Sequence, residues 1–130
     1  MDDPRQPAEA YSLPLQGPHR LPAEPDAFVR LRLVLRPGNT ALEMTRPDVL
    51  VGRHSDADVR LSLPDVSRRH CRLVFAAGRW QIFDLNSLNG TFVNGERVQQ
   101  ATLAAGDLLR IGGVLFAVEL GDVLPLRKAS

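Results

Sequence analysis

The chain has 130 residues, which suits one domain with a modest core, and its 16 basic and 15 acidic side chains leave a formal net charge of +1. A single cysteine, Cys71, excludes an internal disulfide framework and offers no metal-ligand set, so neither metal nor cofactor is expected. No apolar run approaches the roughly 20 residues of a membrane span, and no basic start leads into an apolar stretch. A reducing, cytoplasmic setting without membrane contact is the expectation.

Charge is uneven along the chain. Residues 1–27 hold two basic and five acidic side chains, whereas the remainder holds fourteen and ten. Six of the ten prolines also fall in this first segment. With so little clustered apolar surface it cannot offset its own ordering entropy, so residues 1–27 read as a disordered, proline-rich acidic arm. It serves either as a plain linker or as a ligand for a proline-binding groove.

From Phe28 the hydrophobic period becomes two. Val29, Leu31, Leu33 and Leu35 alternate with Arg30, Arg32 and Val34, which predicts a half-buried strand before the break at Pro37-Gly38-Asn39. Short runs follow at about 42–45, 48–52, 59–61, 70–76, 79–84, 91–93, 97–98, 107–112 and 114–120. Gly78, Asn89-Gly90, Asn94-Gly95 and Gly112-Gly113 punctuate them with residues that accept the positive φ of tight turns. No segment carries a helical stripe. Many closely spaced short strands predict an all-β sandwich or barrel. Cys71 alternates with Leu73 and Phe75, so it reads as a small buried filler.

Three loops stand out for their polar composition: Gly52-Arg53-His54-Ser55-Asp56-Ala57-Asp58, Val66-Ser67-Arg68-Arg69-His70 and Asp84-Leu85-Asn86-Ser87-Leu88-Asn89-Gly90-Thr91. Loops gathered at one end of a sandwich are free to bind while the strands build the core. The order Gly-Arg, Ser-x-x-His, Asp-Leu-x-Ser-x-Asn-Gly-Thr-Phe-Val-Asn-Gly, Leu-x-x-Gly-Asp and a late Ile-Gly resembles the forkhead-associated (FHA) domain. The resemblance runs from about Phe28 to Leu120. It implies an eleven-stranded antiparallel β-sandwich over residues 28–121, with residues 122–130 as a flexible tail. It also implies binding of phosphothreonine-containing segments of partner proteins marked by a serine/threonine kinase. The arginine-rich, lysine-poor composition suits a bacterial, GC-rich source.

The residue chemistry agrees with that implication. A phosphate dianion offers three acceptor oxygens and needs fixed donors. By resemblance Arg53 and Ser67 hold it, the first through a charge-assisted contact for which the guanidinium fork can be bidentate, the second through a hydroxyl. Arg68 lies beside them, either a third phosphate contact or surface charge. Asn89 corresponds to the asparagine that pins the peptide main chain, for which its amide has both a donor and an acceptor. His70 ties the loops together by hydrogen bonds rather than touching ligand. Gly52 and Gly90 serve backbone geometry, and Asn94 with Gly95 forms a supporting hairpin turn. Bland roles stand beside these: Arg53 as a solvated side chain, Ser67 as a turn cap.

One position departs from the pattern. Many family members have threonine where this chain has Leu88, which cannot donate to phosphate. Leu88 packs either on the ligand methyl or on a neighbouring side chain. The arm contains no threonine, so a phosphorylatable threonine in the tail that folds back onto the site is not expected. An alternative function is a phosphate-independent interaction module on the same fold. Nucleic-acid binding is disfavoured because the arginines are scattered and the aromatics form no stacking platform. Catalysis is disfavoured because Ser67, His70 and Asp84 have the residue types of a hydrolase triad without a dedicated oxyanion site. The oligomeric state is left open.

Overall fold

The computed structural model describes residues 27–125. The arm, apart from Ala27, and residues 126–130 lie outside them. Eleven strands follow in order: β1 Ala27–Arg36, β2 Ala41–Met44, β3 Asp48–Gly52, β4 Val59–Arg60, β5 Cys71–Ala76, β6 Arg79–Asp84, β7 Thr91–Val93, β8 Glu96–Arg97, β9 Gln100–Thr102, β10 Leu108–Ile111 and β11 Val114–Pro125. They form a six-stranded sheet, β2-β1-β11-β10-β7-β8, and a five-stranded sheet, β4-β3-β5-β6-β9. The expected eleven-stranded sandwich is what forms.

The two sheets close on each other because alternate residues of each strand are apolar. On β5, Cys71, Leu73 and Phe75 are buried while Arg72 and Ala76 are exposed. On β10, Leu109 and Ile111 are buried between exposed Leu108 and Arg110. Phe28, Phe75 and Trp80 pack as an aromatic cluster with centroids 5.7 to 6.4 Å apart. Trp80 is also held by its indole N–H, which donates to the carbonyl of Val29 at 2.6 Å.

Four details depart from the sequence expectation. First, the inward side of β1 is not one continuous alternation. A bulge shifts its pairing with β11 between Val29 and Leu31, so Phe28, Leu31 and Leu33 are all buried, while Val29 is only half-buried. Second, β9 was not anticipated: Gln100-Ala101-Thr102 is too short and polar to carry an apolar alternation, and it forms by pairing with β6. Third, the sandwich is not wholly antiparallel, since β4 runs parallel to β3. The loop of residues 53–58 can turn the chain back because only Val51 and Gly52 at the end of β3 are paired with it. Just before that pairing begins, the Asp58 carboxylate accepts the Leu50 amide at 2.8 Å. Fourth, β11 continues beyond Gly121 to Pro125 and pairs with Ala27–Val29. Residues 122–125 therefore belong to the sheet, because the opening of β1 supplies them with backbone partners.

The three polar loops join β3 to β4, β4 to β5 and β6 to β7. They meet at one end of the sandwich, together with the turn between β10 and β11. A Cβ on Gly112 in that turn would lie 2.4 Å from the Asp65 carbonyl oxygen, so the turn is pressed against the second loop.

Candidate functional site

The first two loops are joined through their main chains. The Arg53 amide donates to the Ser67 carbonyl at 2.9 Å, and the His54 amide donates to the Arg68 carbonyl at 3.0 Å. That approach leaves no room for a side chain at Gly52, whose Cβ would stand 2.1 Å from the Arg68 carbonyl oxygen. Gly52 is needed for close contact rather than for positive φ. The Arg53 side chain is pinned at one point, with Nε donating to the Val66 carbonyl at 2.9 Å. Its terminal nitrogens are left toward solvent at the loop surface, since the residue is exposed.

His70 is fully buried and links all three loops. Its Nδ1 accepts the Ser67 amide at 3.1 Å, and its Nε2 lies 2.8 Å from the Gly90 carbonyl. An acceptor at Nδ1 and a carbonyl at Nε2 require the tautomer with hydrogen on Nε2. Main-chain bonds complete the link: the His70 amide reaches the Val51 carbonyl, and the Leu85 amide reaches the His70 carbonyl, each at 2.9 Å. Both ring nitrogens of His70 are thus occupied by main-chain groups of the neighbouring loops.

The third loop is organised around Asp84. Its carboxylate accepts the Ser87 hydroxyl at 2.5 Å, the Ser87 amide at 3.0 Å and the Thr91 hydroxyl at 2.7 Å. The Ser87 oxygen in turn accepts the Gly90 amide at 3.0 Å. Burial opposes ionisation of Asp84, but these hydrogen bonds and the nearby His70 outweigh it and hold the carboxyl below its ordinary value. Gly90 has φ +90°, and a Cβ there would also meet Arg97 and Phe92 at about 3 Å.

These constraints bring Arg53, Ser67, Leu88 and Asn89 to one surface. The Ser67 hydroxyl oxygen accepts the Leu88 amide at 3.0 Å, which leaves its own O–H free to donate outward. Asn89 is exposed and donates one amide hydrogen to the Asp65 carbonyl at 2.8 Å, leaving its carbonyl oxygen and second hydrogen available. Leu88 is 83% exposed, so it does not pack on a neighbouring side chain. Arg68 is exposed beside Ser67. Arg60 adds a further exposed guanidinium, with its Nε donating to the Arg53 carbonyl at 3.2 Å.

Asn94 is not part of this assembly. It has φ 52° in the β7–β8 turn, where its side chain bonds Asp107 and the Leu108 amide. Three residues of β7 carry the chain away from Gly90, so Asn94 fixes β7 to β10 at the strand's far end. The sequence pattern also gave no warning of the supporting parts played by Asp65 and Gly112, whose contacts are between loops distant in sequence. Ser67, His70 and Asp84 do not form a nucleophile–base pair: both ring nitrogens of His70 face backbone groups, and the Ser67 oxygen faces an amide.

The FHA domain family model matches residues 49–112. The glycogen accumulation regulator GarA of Mycolicibacterium smegmatis is 45% identical over 69 residues, covering 53% of this chain and 44% of GarA. A solved structure from work on phosphothreonine-dependent FHA domain interactions is 35% identical, with a TM-score of 0.64, covering 69% of this chain and 95% of that one. Mycobacterium tuberculosis EmbR, solved with a low-affinity phosphopeptide, is 29% identical with a TM-score of 0.68, covering 72% of this chain and 25% of EmbR. The match of loops, sandwich and sequence defines the class: this chain belongs to the FHA domain family. It spans less than half the length of the curated relatives it matches.

Proposed function

We propose that this chain is a phosphothreonine-peptide-binding module that mediates phosphorylation-dependent protein–protein interaction downstream of a serine/threonine kinase. The observation that carries the reading is the convergence of unspent donors at one end of the sandwich. The Arg53 terminal nitrogens, the Ser67 hydroxyl and the Asn89 amide are placed by internal hydrogen bonds that leave their outward groups available. Such prepaid positioning favours binding, because the donors need little further ordering when a phosphate arrives. The relatives solved for phosphothreonine-dependent interactions and with a phosphopeptide support it. In this reading exposed Arg68 joins the phosphate contact and exposed Leu88 packs against the threonine methyl.

The module is non-catalytic in this reading, works in the cytoplasm and uses the sandwich of residues 28–125 with the acidic arm as an appended segment. The polar surface offers donors for an anion but no base for a nucleophile. A phosphate-independent interaction is the second reading, and the exposed apolar Leu88 is what favours it. Binding to a degenerate peptide library in phosphothreonine, phosphoserine and unphosphorylated threonine versions separates the two. Selective retention of the phosphothreonine pool is expected. Equal retention of all three pools would replace it with the phosphate-independent module.

A further inference from the structure

The outer face of the six-stranded sheet carries one row of residues with an unusual composition. Strand register places Arg97 opposite Phe92, Phe92 opposite Arg110, Arg110 opposite Leu115, and Leu115 opposite Arg36. Directly paired residues project on the same face, so Arg97, Phe92, Arg110, Leu115 and Arg36 form a continuous stripe across five strands. All three arginines are exposed, and among the described residues none has an acidic partner. Arg110 instead lies over the Phe92 ring, 6.0 Å from its centroid.

The same face shows what a self-contained row looks like. Farther along the strands, Arg32 is paired across both neighbours with Glu43 and Glu119, and Arg30 also reaches Glu43. Charge there is balanced within the sheet. Between the two rows lie Val34, Ala117 and Leu108, cross-strand neighbours of which Leu108 is 44% exposed. A sheet gains nothing from three like charges in one row, whereas arginine interleaved with aromatic and aliphatic side chains is the composition of a protein-binding surface.

Position decides the occupant. The stripe begins at the phosphate-facing loops, because the place a Cβ would take on Gly90 is walled by Arg97 Nε at 2.9 Å and Phe92 Cε1 at 3.0 Å. Gly90 directly follows Asn89. We infer that the stripe from Arg97 to Arg36 binds an acidic, apolar-containing segment of the same partner chain that offers the phosphothreonine to the loops. This rests on the phosphothreonine reading and extends it to a second contact. Successive arginines stand two strands apart, roughly 9.5 Å, which an extended segment covers in about three residues. Linking the two contacts in one chain adds affinity without changing either site.

The test uses the full chain and the tightest phosphothreonine peptide from the library, alone or extended by seven residues on either its N-terminal or its C-terminal side. The extensions carry aspartate or glutamate at every third position with leucine or valine between. At low salt, one extension is expected to tighten binding about 10-fold or more, with the gain shrinking as salt rises. In Arg36→Glu/Arg110→Glu the gain should vanish while the short peptide binds as it does to the unaltered protein. No gain from either extension, or a gain that survives the double substitution, overturns the inference. So does a short DNA duplex that displaces the extension and itself binds as tightly, since the stripe would then be a nucleic-acid surface. If the short peptide itself fails to bind, the phosphothreonine reading has failed and the inference falls with it, and that result is visible before any extension is compared.

Discussion

Arg53 and His70 sit 17 positions apart in the sequence and belong to the same site, yet they answer to different measurements. Arg53 is exposed and holds the protein only through Nε on the Val66 carbonyl. Its removal costs little stability. A charge-assisted hydrogen bond to phosphate is worth about 1.5–3 kcal/mol, so Arg53→Ala should weaken phosphopeptide binding roughly 10- to 150-fold while the melting temperature hardly moves. His70 is the reverse case. Its side chain is completely buried, and truncation to alanine orphans the Ser67 amide and the Gly90 carbonyl as well as opening a cavity. Each orphaned group costs about 1–3 kcal/mol, so His70→Ala should lower the melting temperature by ~10 °C or more, and binding should weaken as the loops loosen. Calorimetry of binding and a thermal melt on both variants check the contrast. Full binding by a folded Arg53→Ala protein would place the phosphate elsewhere. An unchanged melting temperature in His70→Ala would remove the scaffold role.

At the level of strands and loops, the third loop is a unit held by one carboxylate. The hydrogen bonds around Asp84 keep its folded-state ionisation below the ordinary 3.8, despite the opposing effect of burial. A depressed carboxyl contributes stability that is fully present above the unfolded value and is lost as the pH falls through the folded one. The gap in melting temperature between the unaltered protein and Asp84→Asn should thus be widest above about pH 5 and should narrow as the pH drops below 3.8. A gap that stays constant from neutral pH to pH 2.5 would mean that the charge of Asp84 does not hold the loop. This network also marks how far the sequence could be read. Arg53, Ser67, Asn89 and His70 were legible because their spacing within polar loops resembles a family pattern. The Asp65–Asn89 and Asp65–Gly112 contacts were not, because they arise only when loops distant in sequence meet, and the hydrogen bonds joining Asp84, Ser87 and Thr91 depend on how their one loop folds. The same limit applies to strands. Alternation identified β5, β6 and β10, but β9 exists only because β6 offers an edge, and β4 runs parallel through a pairing too short to leave a pattern.

Among the described residues the sandwich is closed by its first and last strands, which lie side by side inside the six-stranded sheet. The family resemblance reaches only to about Leu120, so it implied a domain ending at Gly121 with a flexible tail beyond. The pairing of Ala27, Phe28 and Val29 with Pro125, Leu124 and Val123 extends the sheet past that point. Phe28, 2% exposed, is anchored in this segment and meets Trp80 edge to face at 6.0 Å, while the Val29 carbonyl receives the Trp80 indole N–H. The end of β11 therefore supports the aromatic corner of the core although it lies at the opposite end from the three polar loops. A chain stopped after Gly121 should lose the ladder to residues 27–29, free Phe28 from the corner and melt roughly 10 °C or more below the full chain, since burying one phenylalanine is worth about 1.5–3 kcal/mol. Fluorescence of Trp80, the only tryptophan in the chain, should shift to the red in the native state as the corner admits water. Phosphopeptide affinity measured well below the melting transition should stay within about twofold, because the loops are held by His70 and Asp84 and not by this corner. An unchanged melting temperature would return the boundary to Gly121. A large loss of affinity with an intact fold would instead show that the two ends of the sandwich are coupled.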